Sequence, residues 1–164
     1  MEVKIKRLHK DAIIPKQATE LAGGWDVVAT EIIKEANDFV ICKLGFSLQP
    51  PPNYKITLVP RSSLTKTKWI LQNSPGLGDA DFVGECQYRL RALPCSLNEI
   101  VFSSSNSRDI DKTEGILTYP EFPFKPGDRI GQIYLEEVIP IEFIEVDELS
   151  NFNRLGGYGS TGNN

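Results

Sequence analysis

Three consecutive prolines, Pro50-Pro51-Pro52, followed by Asn53, cut through a long run of alternating apolar residues. Proline can neither donate to a sheet ladder nor sit inside a helix, so the chain has to turn there. Before the turn, Val40, Cys42, Leu44, Phe46 and Leu48 occupy every second position. After it, Tyr54, Ile56 and Leu58 alternate with Lys55, Thr57 and Val59. A period of two puts one set on one face of a strand, which predicts a strand over 39–48 and a return strand from Tyr54. Short strand signals recur at Val3 and Ile5, at Asp26-Val27-Val28-Ala29, and at Cys86, Tyr88 and Leu90, which alternate with Gln87, Arg89 and Arg91. Further strands are expected over Arg129–Val138 and Pro140–Val146, and Trp69-Ile70-Leu71 reads as a short buried run. Ala12-Ile13-Ile14 stops at Pro15, and Glu31 to Asp38 fits either one helical turn or a polar loop. Short strands, frequent turns and almost no helical period predict an all-β sandwich or jelly roll.

At 164 residues the chain is expected to form one domain over 1–150. Residues 94–126 break the rhythm. A serine-rich loop (Ser103 to Asp109) precedes Tyr119, Phe122 and Phe124, which are spaced by Pro120, Pro123 and Pro126. This stretch reads as an insertion between core strands, partly packed and partly mobile. Residues 151–164, with four Gly and four Asn, read as a flexible tail. A net charge of −4 argues against bulk attraction to nucleic acid or an anionic membrane. There is no run long enough to span a bilayer and no signal peptide's apolar region. Cys42, Cys86 and Cys95 form no CxxC and suit free thiols in a reducing, cytoplasmic setting. A single histidine, His9, argues against His-based triads and His-rich metal sites.

Asn73 to Glu85 concentrates chemistry: the amide of Asn73, Gly76, Gly78 and Gly84, the acids Asp79 and Asp81, and Phe82. Glycines let a backbone approach a flat ligand, and an amide offers a donor and an acceptor to a nucleobase edge. Asp79 is placed to hold and deprotonate a water. Taken alone, the segment also fits an ordinary hairpin turn. Arg61-Ser62-Ser63 ends a strand with a forked guanidinium and hydroxyls, which suits a polyphosphate or simply a solvated strand end.

With Gly23-Gly24-Trp25-Asp26-Val27, Gly127-Asp128-Arg129-Ile130-Gly131-Gln132 and the segment from Arg154 to Gly162, these stretches make five motifs. In order and spacing they resemble the five motifs of the trimeric dUTPase family. The resemblance implies a distorted jelly roll of the β-clip type, a homotrimer with shared sites, and hydrolysis of dUTP to dUMP and pyrophosphate. It implies that Asn73 reads uracil with backbone contacts from Leu77 and Gly78, that Asp79 is the general base, and that Phe82 lies beneath the deoxyribose. Ser62 would sit at the bond between the α and β phosphates, with Arg61 bracing the neighbouring chain or a phosphate and Ser63 among the substrate-binding residues. Asp26 and Gln132 would orient waters on a Mg²⁺ chelated by the triphosphate, although Asp26 also reads as a structural turn residue. Arg129 reads as structural. Tyr158 would stack on the base, while Arg154, Gly159, Ser160 and Thr161 reach the terminal phosphate.

Several positions depart from the family pattern. Arg154 is one residue closer to its aromatic partner, Gly-Gly-Trp precedes Asp26, Gly78 replaces the usual Ile or Val, and Gly131 replaces Ala. With the long insertion, these features look most like phage and prophage members. A dCTP deaminase shares the fold but needs a glutamate at the position held here by Arg89. A regulatory protein that meets a repressor or other partner through the 94–126 insertion is the reading from a different class.

Overall fold

The structure, a computed structural model, describes residues 1–95 and 118–149. Among these, eleven strands follow one another: β1 (Lys4–Arg7), β2 (Lys16–Gln17), β3 (Trp25–Val28), β4 (Glu31–Ala36), β5 (Phe39–Lys43), β6 (Phe46–Gln49), β7 (Tyr54–Pro60), β8 (Trp69–Leu71), β9 (Gly76–Gly78), β10 (Gln87–Ala92) and β11 (Arg129–Glu137). A 3₁₀ turn, Ser62–Lys66, follows β7. The strands form a four-stranded sheet (β4-β5-β10-β8), a five-stranded sheet (β2-β3-β11-β7-β9) and a β1-β6 pair.

The alternation found in the sequence holds, but its segmentation changes. The five residues expected inward between 40 and 48 are all buried, yet they are split between two strands, with Leu44 in the break. Gly45 makes the break. Its φ of +71° is closed to most side chains, and a Cβ there would meet Thr30 Oγ1 at 2.8 Å. Past the prolines, Asn53 turns the chain with φ of +64°, and β7 does not return beside β6. It crosses to the other sheet, where it pairs with β11 and β9, while β6 pairs with β1. Glu31–Ala36 is neither helix nor loop. It pairs with β5 as a strand (Ile32↔Cys42, Ile33↔Ile41), an arrangement that suits two adjacent β-branched residues. In β8 only Trp69 and Leu71 are buried, and Ile70 points out. Pro140–Val146 forms no strand. Ile139, Ile141, Phe143 and Ile144 are exposed, Phe143 to 90%.

The core lies between the two larger sheets. Val40, Cys42, Leu71, Tyr88 and Leu90 come from one, and Val27, Ile56, Ile130 and Ile133 from the other. Residues 118–126 pack onto its edge. Trp69 meets Phe122 edge-on at 4.9 Å and donates its indole N–H to the Glu121 carbonyl. The segment of the insertion at 96–117 lies outside the described residues.

Burial pushes the Cys42 thiol up to about 12 and Cys86 up to about 11 from 9.0, and it moves the Tyr88 phenol upward as well. The folded chain therefore keeps protons that the unfolded chain releases above about pH 9, so stability falls as pH rises. Each thiol is expected to contribute a slope of at most about 1.4 kcal/mol per pH unit between its unfolded and folded values. A urea midpoint that stays flat from pH 9 to 11 would contradict this assignment.

Candidate active site

Strand β7 carries two functional patches. Its middle holds β9 by the register Ile56↔Gly78, Thr57↔Leu77 and Leu58↔Gly76. Its end pairs with β11 (Val59↔Gln132, Pro60↔Gly131) and runs on into Arg61 and the Ser62–Lys66 turn. Leu64 is buried and anchors that turn, leaving Ser62 exposed and Ser63 half-buried.

Because β11 also pairs with β3 (Gln132↔Asp26), the strand ends bring four side chains together. Asp26, only 7% exposed, accepts Gln132 Nε2 at 3.1 Å and Arg129 Nη1 at 2.9 Å. Arg61 Nε lies 3.2 Å from Asp26 Oδ1. Arg129 thus pairs across the sheet, as expected of a structural residue, but it also alters the local charge. Two guanidiniums and one carboxylate leave the cluster with a net charge of +1, and the buried acid is fully compensated. Such a cluster attracts an anion and repels a bare cation. About three of the four acceptor sites on Asp26 are used, and the carbonyl oxygen of the Gln132 side chain stays outside its bond to Asp26. The residues present therefore fit a Mg²⁺ that arrives chelated by phosphates and is held through its waters. Among the described residues no group of three or more His, Cys, Asp and Glu is placed to hold a metal directly.

The second patch is a cavity of about 490 Å³ beside β9. Leu48, Ile56, Leu58 and Leu71 give it an apolar side. Asn73, Leu77, Gly78, Asp79 and Phe82 line it from the loop. A Cβ at Gly76 would stand 3.2 Å from that of Leu58, so the β9 backbone lies tight against β7. The Phe82 N–H donates to the Asp79 carbonyl, and its ring rests over Gly84, where any Cβ would overlap it. Asp79 is exposed at the rim.

The structure thus gathers Asn73, Leu77, Gly78, Asp79 and Phe82 in one place and Asp26, Arg61 and Gln132 in another. None of Asp26, Arg61, Ser62, Ser63 and Gln132 lines the cavity. Arg154, Tyr158, Gly159, Ser160 and Thr161 lie outside the described residues. Sequence reasoning missed Cys86 and Arg89 as lining residues. The alternation from Cys86 into β10 was legible, but the cavity edge that β10 shares with Gln72 was not: Gln72 N–H donates to the Arg89 carbonyl at 2.9 Å.

A jelly roll that sets a cavity of this kind beside an anion-attracting strand end suits a protein that takes a small anionic ligand. Comparison with known proteins sharpens this. The family model described as dUTPase matches residues 10–96. A deoxyuridine 5'-triphosphate nucleotidohydrolase of Hydrogenobaculum sp. is 32% identical, covering 99% of both chains. The chain belongs to the dUTPase family. Its fold is also that of phage members. A Staphylococcus bacteriophage 80alpha dUTPase with dUPNHPP superposes with a TM-score of 0.73 at 20% identity, covering 98% of each chain. A mutant dUTPase from phage phi11 of S. aureus, described with a structural Mg(II) ion, gives 0.65 at 17% identity over 92% of this chain and 99% of that one.

Magnesium titrated into the nucleotide-free protein is expected to give no saturable heat, because the Asp26 cluster is net positive. Titrated into the complex with a non-hydrolysable triphosphate, it should give a saturable one. Saturable binding to the free protein would mean that the cluster is a metal site in its own right.

Proposed function

We propose that this chain is a dUTP diphosphatase that hydrolyses dUTP to dUMP and pyrophosphate by water attack at the α-phosphorus. The observation that carries this reading is the cavity edge itself. Among the described residues β9 is the last strand of its sheet, so one side of Gly76-Leu77-Gly78 faces no strand partner there. Uracil presents alternating carbonyl and N–H groups that such an edge can match, and the Asn73 amide adds a donor and an acceptor. A thymine methyl would clash with the close backbone, and cytosine would reverse the pattern at its amino position. The Phe82 ring, set over Gly84, would pack under the deoxyribose and exclude a 2′-hydroxyl.

At the cavity rim, the exposed Asp79 carboxylate is placed to orient and deprotonate a water. Arg61, held by Asp26, and the exposed Ser62 would stabilise charge on the phosphates, with Ser63 beside them. When bound with the substrate, Mg²⁺ would supply charge neutralisation on the phosphate oxygens, its waters held by Gln132 and Asp26. A deaminase reading calls for an acid where Arg89 lines the cavity, which counts against it. Asp79→Asn keeps the shape and removes the base. Its turnover of dUTP should fall about 10²–10⁴-fold with dUMP binding retained, and turnover near the wild-type rate would sink the assignment.

Two features support a homotrimer with shared sites. Within one chain the base cavity and the phosphate cluster do not share a lining. In addition, Ile139, Ile141 and Phe143 recur at every second position of an exposed arm. A groove of about 440 Å³ lined by Val3, Ile5, Trp25, Ile133 and Leu135 offers apolar surface to such an arm from another copy. Burying each arm side chain contributes on the order of 1.5–3 kcal/mol. One chain would then give Asp26, Ser62 and Gln132, a second the Asn73–Phe82 loop, and a third a tail whose Arg154, Tyr158, Gly159, Ser160 and Thr161 close over the nucleotide. The reaction belongs in the cytoplasm, and a protein partner, if one is met, meets the 94–126 segment. No helix among the described residues is long and apolar enough to cross a membrane. Ile141→Asp combined with Phe143→Asp should dissociate the trimer in sedimentation and abolish dUTP turnover. A fully active trimer in that variant would exclude the arm as the joint.

A further inference from the structure

Tyr88 heads the fully buried side chains by size, and it is one of the few of them with a polar end. Its hydroxyl crosses from the four-stranded sheet to the five-stranded one. There it lies 2.6 Å from the Gln132 carbonyl and 3.3 Å from that of Val59. A hydroxyl has one proton to give, and the shorter contact to Gln132 takes it. Those two residues are partners in the β7–β11 ladder, one step before Pro60 and Gly131. Beside this contact the ladder is irregular, because Pro60, opposite Gly131, has no N–H and the β11 register with β3 shifts between Arg129 and Gly131. The phenol adds a hydrogen bond from β10 to the Gln132 carbonyl there.

Gly131 makes room for this. Any Cβ at 131 would overlap the Tyr88 ring and hydroxyl, and a ring with no exposed surface cannot swing away. The absent side chain at 131 and the large one at 88 are therefore a matched pair. The Gln132 side chain in turn donates to Asp26, which holds Arg61 and Arg129. On β10, Tyr88 stands between Gln87 and Arg89, both of which line the base cavity.

We propose that Tyr88 is a positioning residue for the phosphate cluster, holding the β7–β11 pair at the spacing at which Gln132, Asp26 and Arg61 together receive the triphosphate. This rests on the dUTP hydrolysis reading given above. It predicts a selective defect: the triphosphate should be affected, and the monophosphate, which lacks the outer phosphates, should not.

The test is Tyr88→Phe, which keeps the ring and removes the donor. kcat/KM for dUTP should fall about tenfold, the scale of about 1.4 kcal/mol. Affinity for a non-hydrolysable dUTP analogue should weaken in parallel, while affinity for dUMP stays within about twofold by calorimetry. Gly131→Ala, whose added methyl would press on the ring and strain the same contact, should show the same selectivity. Unchanged kcat/KM in a folded Tyr88→Phe protein would overturn the proposal. So would equal losses for monophosphate and triphosphate, or loss of the fold in both variants, since each outcome makes the ring a core side chain and nothing more. Wild-type turnover of dUTP is the control. Its absence would overturn the reaction reading and leave the comparison of the two affinities as the test of Tyr88.

Discussion

The double pairing of β7 is the constraint on which the rest of the structure depends. One edge of this strand holds β9, whose outer backbone faces the cavity, and the other holds β11, which carries Gln132. A strand advances about 3.3 Å per residue, so the Thr57 partner of Leu77 and the Arg61 guanidinium's backbone stand about 13 Å apart along it. The ladder sets that separation, and no loop movement within the chain can shorten it. A base read at β9 and a phosphate gripped at Arg61 of the same chain would have to bridge this gap along the sheet. Two copies can bring one chain's loop against another chain's strand end without distorting either ladder. The shared site proposed above is compatible with this sheet geometry.

Electrostatics at the far end of β7 follow from burial. An isolated carboxylate as enclosed as Asp26 would be strongly disfavoured, and two guanidiniums with one amide offset that cost. The same contacts hold Arg61 in one orientation before any ligand arrives, so less side-chain freedom is lost on binding. Surplus positive charge is left to face the solvent. The hydrogen bonds that make Asp26 structural are the same ones through which its proposed role beside the phosphates would act.

What was legible in the sequence followed from period and punctuation. The inward set from Val40 to Leu48, the proline turn and the β10 alternation were all readable, because each is a local pattern. The break at Gly45 was harder, since alternation continues through it and only its positive φ reveals the bend. Glu31–Ala36 became a strand because β5 lay ready to pair with it, a tertiary fact that propensity does not carry. The site divides in the same way. Asn73 and Asp79 stood out by residue type and spacing. Arg89 did not, because its place on the cavity depends on how β10 and the residue after β8 meet. Gly131, a departure in the sequence, has a plain cause in the structure: the Tyr88 ring fills the space where a methyl group would be.

Residues Ile139 to Val146 failed as a strand for a reason that reaches beyond one chain. Their pattern is strand-like, but a strand is defined by a neighbour, and among the described residues none pairs with them. Leaving Ile141, Phe143 and Ile144 in water is unfavourable, and this exposed apolar stretch is what motivates the proposed trimer. In the proposed trimer, covering the arm with a second copy would remove that surface and fix the relative placement of two chains in one step. The orientation of one chain's loop against another's strand end would then be set by the same burial that holds the assembly together. Stability of the assembly and completeness of the site would rise and fall together, because both would rest on the same exposed stretch of chain.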